Sequence, residues 1–342
     1  MAAMSWLRRP KNRKTVYPLA TGVIAVSTAL AGCSSSTPAP SGTATTAVAP
    51  SGPTVATMRI QAVIELPGQE AYGLATSSDA VWAIAYQAGM LSKIDPQTGT
   101  VTSNIPMTGA ASVMAVEDTL WVAGYGGPTG SRLYRIDSGT GQVAASIETG
   151  ELCCDLTAGD GSIWTVDPNG SVIRVDPAVN QVVQRIPVTI DRNAHTNVVF
   201  AGGALWVSSD STKLFRVDPN TGATMQLDVG GGVPFLADRG LLWGASPTQL
   251  WAVDEKTGVL ARQISLANST EVMSLALGYG SIWVGIRHPA RVGAVLRLDA
   301  GTGAQIDELR QVDIPGRIAI GFGSVWITDS GGAELYRISP EP

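Results

Sequence analysis

The chain has 342 residues, with 23 basic against 28 acidic side chains, a formal net charge of −5, three cysteines and two histidines. An acidic body argues against a general nucleic-acid binder, whose affinity rests on neutralising phosphates, and three cysteines cannot supply the disulfide framework of a small secreted scaffold. The length exceeds the usual prior for one domain but suits a single closed all-β domain.

The chain begins with Arg8, Arg9, Lys11, Arg13 and Lys14, continues with a largely apolar run over residues 16–30, and reaches Leu30-Ala31-Gly32-Cys33. A charged leader, an apolar segment too short for a convincing membrane span and a small-residue cleavage site together read as an export signal. Leu-Ala-Gly-Cys resembles the bacterial lipobox. That resemblance implies that residues 1–32 are a lipoprotein signal peptide and that Cys33 becomes the first residue of the mature chain, lipidated with diacylglycerol and palmitate; the alternative is an ordinary secretory signal with an incidental cysteine. Cleavage removes five basic and no acidic residues, leaving 18 basic against 28 acidic. Residues 34–57 are rich in Ser, Thr, Pro and Ala and carry no charge. Such a segment buries too little apolar area to offset its conformational entropy, so residues 33–57 are expected to form a lipidated, disordered tether.

Beyond the tether the sequence repeats. Trp82, Trp121, Trp164, Trp206, Trp243, Trp283 and Trp326 are spaced by 39, 43, 42, 37, 40 and 43 residues. A period of this size filled with short strands points to propeller blades. Eight residues before each tryptophan stands an apolar side chain: Leu74, Val113, Leu156, Val198, Phe235, Leu275 and Ile318. Turn glycines such as Gly278-Tyr279-Gly280 separate the two positions, which predicts an inner strand, a tight hairpin and a second strand carrying the tryptophan. The aromatic side chains are expected to pack between neighbouring blades.

Each third strand ends in a base-apolar-acid pattern, as in Lys93-Ile94-Asp95, Arg135-Ile136-Asp137 and Arg297-Leu298-Asp299; in the fifth repeat Ala252 takes the place of the base, and in the last repeat Ser339 takes the place of the acid. One base per repeat at a fixed place argues for repeated structural pairing in solvated scaffold chemistry, not for a phosphate site. Turns such as Asp95-Pro96-Gln97-Thr98-Gly99 follow. They lack the spaced oxygen ligands of a calcium loop and read as hairpins in which Asp accepts from the turn backbone and Gly supplies a positive φ. A fourth strand follows each turn except the last, where the chain ends, while residues 58–66 form an orphan strand before the first repeat. The two ends are therefore expected to share a blade. Residues 58–342 are predicted to form an all-β, seven-bladed β-propeller of four-stranded blades, closed by the N-terminal strand completing the last blade.

The repeated Gly-x-Gly-Ser-Ile-Trp-Val and Arg-Ile-Asp-Pro-x-Thr-Gly elements resemble seven-bladed propellers of the YVTN and quinoprotein-like type. The resemblance spans nearly all of residues 58–342 and is specific for fold. Because related propellers include binding proteins, sensor domains and a few lyases, it implies no single activity.

Functional residues should collect on the face carrying the loops into the inner strands and those after the tryptophan strands. The former bring Tyr72, Ser112, Asp155, His195, Asn197, Glu271 and Arg317; the latter bring Tyr86, Tyr125, Asp167, Asp210, Arg287, His288 and Asp329. Unlike the scaffold positions, these differ from blade to blade. Asp155, His195, Asn197, Glu271 and Arg317 are the ligand-binding candidates. His195 and Glu271 are the pair to consider for general-base catalysis, against the alternative of polar rim residues in ordinary turns. Cys153 and Cys154 either close a vicinal ring or are two small buried side chains, and alone they make no zinc site. The nucleophile-elbow, phosphate-loop, zinc-protease and covalent-haem motifs are absent from the sequence. The expectation is a monomeric lipoprotein on the extracytoplasmic face of the cell membrane, whose propeller is a scaffold without a cofactor that binds a small molecule or an envelope protein. The alternative is an enzyme resembling the streptogramin B lyases, seven-bladed propellers that perform elimination with a histidine base and magnesium. A quinone-cofactor dehydrogenase, a propeller type with eight blades and calcium, is a weaker reading.

Overall fold

The computed structural model describes residues 58–340 except 128–129, 151–154, 169, 189–195, 209–212, 230–232, 267–270 and 289–290. The expected signal peptide, Cys33 and tether, together with Cys153, Cys154, His195 and Asp210, lie outside the described residues. Among the described residues, twenty-eight strands form seven four-stranded antiparallel sheets. Six sheets are continuous in sequence, at residues 71–106, 110–150, 157–187, 197–228, 233–265 and 271–309. They are numbered here as blades 1 to 6. Blade 7 combines Pro315–Gly321, Ser324–Asp329 and Glu334–Ser339 with Arg59–Glu65, the first strand of the described chain. The fold is a seven-bladed β-propeller, and the orphan strand of the sequence closes it.

Closure is fastened by register and burial together. Ile60 lies opposite Ile338 and Ile64 opposite Leu335, while Leu66 donates its backbone N–H to the Ala333 carbonyl at 2.7 Å. Ile64 and Leu66 are 6% and 5% exposed and pack with Val81, Ile94 and Trp326. This strand leads through Leu66 into the inner strand of blade 1, at the rim where every outer strand hands the chain to the next blade. Its first residue, Arg59, pairs with Ser339 at the opposite rim.

The apolar core is distributed around the ring. Seven clusters of buried residues each join the tryptophan of one blade to the strands of the next: Trp82 meets Val113, Leu120 and Ile136 of blade 2, Trp283 meets Val325 and Ile327 of blade 7, and Trp326 meets Val81 and Ala83 of blade 1. All seven are at most 2% exposed. Indole N–H groups find local acceptors, as in Trp164 to the Gly159 carbonyl at 3.0 Å and Trp326 to the Gly321 carbonyl at 3.1 Å, so burying the ring strands no donor.

Two of the repeated bases make the solvated pairing expected of them, Lys93 with Asp79 at 2.8 Å and Arg174 with Asp160 at 3.3 Å, but the contact they all share is a different one. Lys93, Arg135, Arg174, Arg216, Arg297 and Arg337 each stand over the tryptophan of their own blade, 5.0 to 5.8 Å from the ring centroid. The negative face of the indole attracts the cation, and the long stem covers the ring edge. Several also reach the next blade: Lys93 donates to the Ser138 carbonyl at 3.0 Å and Arg135 to the Pro177 carbonyl at 2.8 Å. In blade 5 the cation comes from elsewhere. Arg262 on the outer strand lies directly across from Ala252. Its guanidinium covers Trp243 at 5.3 Å and donates to the carbonyls of Ala300 and Gly301 in blade 6. Blade 5 has a second buried indole, Trp251, and Gly244 opposite it is obligatory, because a Cβ there would fall 2.1 Å from the Trp251 ring.

The acids after the bases cap turns as expected. Asp95 accepts from the backbone N–H groups of Gln97 and Thr98 at 2.7 and 2.9 Å, and Asp137, Asp218, Asp254 and Asp299 accept likewise. Hydrogen bonds from the turn threonine, first its backbone N–H, hold all five carboxyls below the usual aspartate range. A carboxyl whose pKa is depressed on folding stabilises the fold fully above its unfolded value, about 3.9, and loses that contribution as the pH falls through the folded value. The melting temperature should therefore be insensitive to these groups from neutrality down to about pH 5 and decline below about pH 4. Asp254→Asn should flatten the decline. An acid limb with the same slope in wild type and variant, measured by calorimetry from pH 7 to pH 3, would contradict this account.

Candidate functional site

The inner strands surround a central channel whose wall holds two adjoining hollows of about 380 and 350 Å³. Leu74, Leu236, Ala237 and Arg317 border both. The specialised level is one residue before the apolar position that stands eight residues ahead of each tryptophan. Read around the ring it is Gly73, Ser112, Asp155, Asn197, Pro234, Ser274 and Arg317. Ser112, Asp155, Asn197 and Arg317 of this ring are among the residues expected from the sequence, whereas Gly73, Pro234 and Ser274 were missed, although counting nine residues back from each tryptophan would have found them; of its members only Asp155 and Arg317 carry charge.

Those two residues meet. Arg317 Nη2 lies 2.5 Å from Asp155 Oδ1, joining blade 7 to blade 3 across the channel although 162 positions separate them in sequence. Ser112 Oγ of blade 2 approaches the same carboxylate oxygen at 3.4 Å. The side chains of Arg317 and Asp155 remain 34% and 21% exposed, through the channel. Burial opposes charge on Arg317, but the Asp155 carboxylate, aided by Tyr72 and Tyr125 within electrostatic range, outweighs it and raises the guanidinium above its ordinary pKa. Arg317 is set in place by its backbone N–H, which donates to Thr328 Oγ1 at 2.8 Å. Thr328 Oγ1 in turn donates to the Tyr72 carbonyl at 3.2 Å, tying blade 7 to blade 1. Tyr72 and Tyr86 lie with ring centroids 6.0 Å apart. Among the described residues the Arg317 guanidinium makes one hydrogen bond, to Asp155, and the residue borders both hollows.

The remaining candidates separate. Asn197 begins the inner strand of blade 4, buried, and borders the second hollow beside Asp155. Glu271 borders neither hollow; half-exposed, it is held across the strand pair by Arg287, with Nε at 2.9 Å and Nη2 at 2.5 Å. Asp329 is consumed by the fold, accepting the N–H groups of Asp313, Ile314 and Gly331, and Asp167 accepts from Ser171. His288 ends the second strand of blade 6. Among the described residues no three His, Cys, Asp or Glu side chains converge as a metal site requires. No family model matches the chain, and a comparison with curated proteins found no match.

Proposed function

We propose that this propeller is held at the extracytoplasmic face of a cell membrane by lipid on Cys33 and that it binds a small ligand at the mouth of its central channel. The observation carrying this reading is the Asp155–Arg317 pair. A ring that repeats the same tryptophan, cation and turn around its circumference departs from repetition at the channel mouth, where opposite charges converge beside two hollows of ligand size. Within propellers, the repeated Gly-x-Gly-Ser-Ile-Trp-Val and Asp-Pro-x-Thr-Gly elements favour kinship with the YVTN and quinoprotein-like type.

A thermal-shift panel of metal ions, quinones and cell-wall fragments against the mature protein tests the reading. A saturable rise in melting temperature with one ligand class, lost in Arg317→Gln, is the expected outcome. A rise that survives Arg317→Gln would move the site elsewhere, and a magnesium-dependent rise would favour the elimination chemistry outlined above. Cys33→Ser should release the protein from the membrane fraction; retention there would remove the anchor.

A further inference from the structure

We infer that the channel-mouth site, if it binds ligand as proposed above, takes a zwitterion whose ammonium and carboxylate lie close together, as in a free apolar amino acid or a short peptide. The charge balance of the pair sets the requirement. Arg317 and Asp155 satisfy one another through a single contact, Nη2 to Oδ1 at 2.5 Å. A ligand entering the mouth has to replace that contact. An anion alone would pair with the Arg317 fork but leave the Asp155 carboxylate beside a like charge, and a cation alone would do the reverse. In a partly desolvated site, removing one partner of an ion pair leaves the other charge uncompensated, which costs more than the pair contributed. A zwitterion replaces both partners at once and keeps the site neutral.

The surroundings suit the rest of such a molecule. The Arg317 fork presents parallel N–H donors that match a carboxylate bidentately, and Ser112 and Asn197 border the Asp155 hollow as neutral polar groups. Leu74, Leu156 and Leu236 also border the hollows and offer apolar contact to part of an aliphatic or aromatic side chain, whereas Val113 and Val198 are buried in the packing between blades. The other charged residue bordering the hollows, Asp238, is 3.5 Å from Arg239 at the far end of its strand and does not disturb this balance. Volumes of about 380 and 350 Å³ are within the range of small-molecule sites.

Isothermal titration of the mature protein with L-leucine, L-phenylalanine and alanyl-alanine, each beside its N-acetylated acid and its carboxamide, tests the inference. Binding of at least one zwitterion about tenfold tighter than either of its singly charged analogues is expected, with Asp155→Asn and Arg317→Gln each abolishing that preference while retaining wild-type circular dichroism. Equal binding of a zwitterion and its analogues would overturn the inference, as would silence toward all nine compounds. The analogue series uses wild-type protein, so a misfolded variant cannot obscure the answer. The parent reading fails separately: a ligand from the thermal-shift panel whose effect requires Arg317, with no response to zwitterions, overturns this inference and leaves a mouth-binding propeller, whereas no Arg317-dependent ligand in either experiment removes both.

Discussion

A chain that begins at residue 67 is expected to lose the cooperative melting of the intact propeller, or to melt more than 10 °C lower, on the order of several kcal/mol for a domain of this size. Residues 59–65 are the outer strand of blade 7, paired from Arg59 opposite Ser339 to Glu65 opposite Glu334. Without them the strand Glu334–Ser339 presents a bare edge, and the pocket beside Trp326, Leu335 and Val81 loses Ile64 and Leu66. Each buried aliphatic side chain stabilises by roughly 1.5–3 kcal/mol, and an exposed strand edge invites association with other chains. A synthetic peptide of residues 58–67 added to the shortened protein should restore part of the loss, because the missing element is an autonomous strand with a preformed slot. An unchanged melting temperature, or a loss of stability that the peptide does not reverse at any concentration, would show that the ring holds together without its closing strand.

The second large effect is expected at the blade interfaces. Trp283→Ala should cost about 3–5 kcal/mol, the range for removing a fully buried large aromatic side chain, because its ring is fully buried against Val325 and Ile327 of the next blade. Arg297→Met should cost much less, about 0.5–2 kcal/mol, since it removes the cation 5.2 Å above that ring while keeping the apolar stem. Blade 5 offers a sharper version. Arg262→Met should cost a similar amount, and adding Ala252→Arg should recover part of it by supplying the cation from the strand that carries it in the other blades. Chemical denaturation of the four variants reads all of this. If Arg297→Met were as damaging as Trp283→Ala, the ranking of apolar burial over cation–π attraction argued here would be wrong.

Blade number, strand order within each blade and closure by residues 58–66 were readable because each follows from local periodicity: a tryptophan every 37 to 43 residues, a turn glycine before it and an unpaired strand at each end of the repeat array. The capping role of Asp95 and its counterparts was readable for the same reason, since donor and acceptor are two or three residues apart. The role of the bases was not. Solvated structural pairing was the reading of Arg-Ile-Asp, and Lys93 and Arg174 do pair with Asp79 and Asp160, but the feature common to the bases, a cation above the tryptophan of the adjacent strand, arises only when the strands pair. Arg262 had no signal of its own, because its link to Ala252 exists only across two paired strands.

By itself, then, the sequence determined a seven-bladed ring sealed by its own ends, and it marked the residues at which the blades cease to be alike. Only the tertiary structure decided which of those residues face one another: it joined Asp155 to Arg317 across the channel and bound Glu271 to Arg287 at the rim. The physical reason is that a repeat period encodes how each blade contacts its neighbour, a short-range matter of packing, whereas contact between blades 3 and 7 depends on the width of the channel and the reach of one arginine, which no local pattern records.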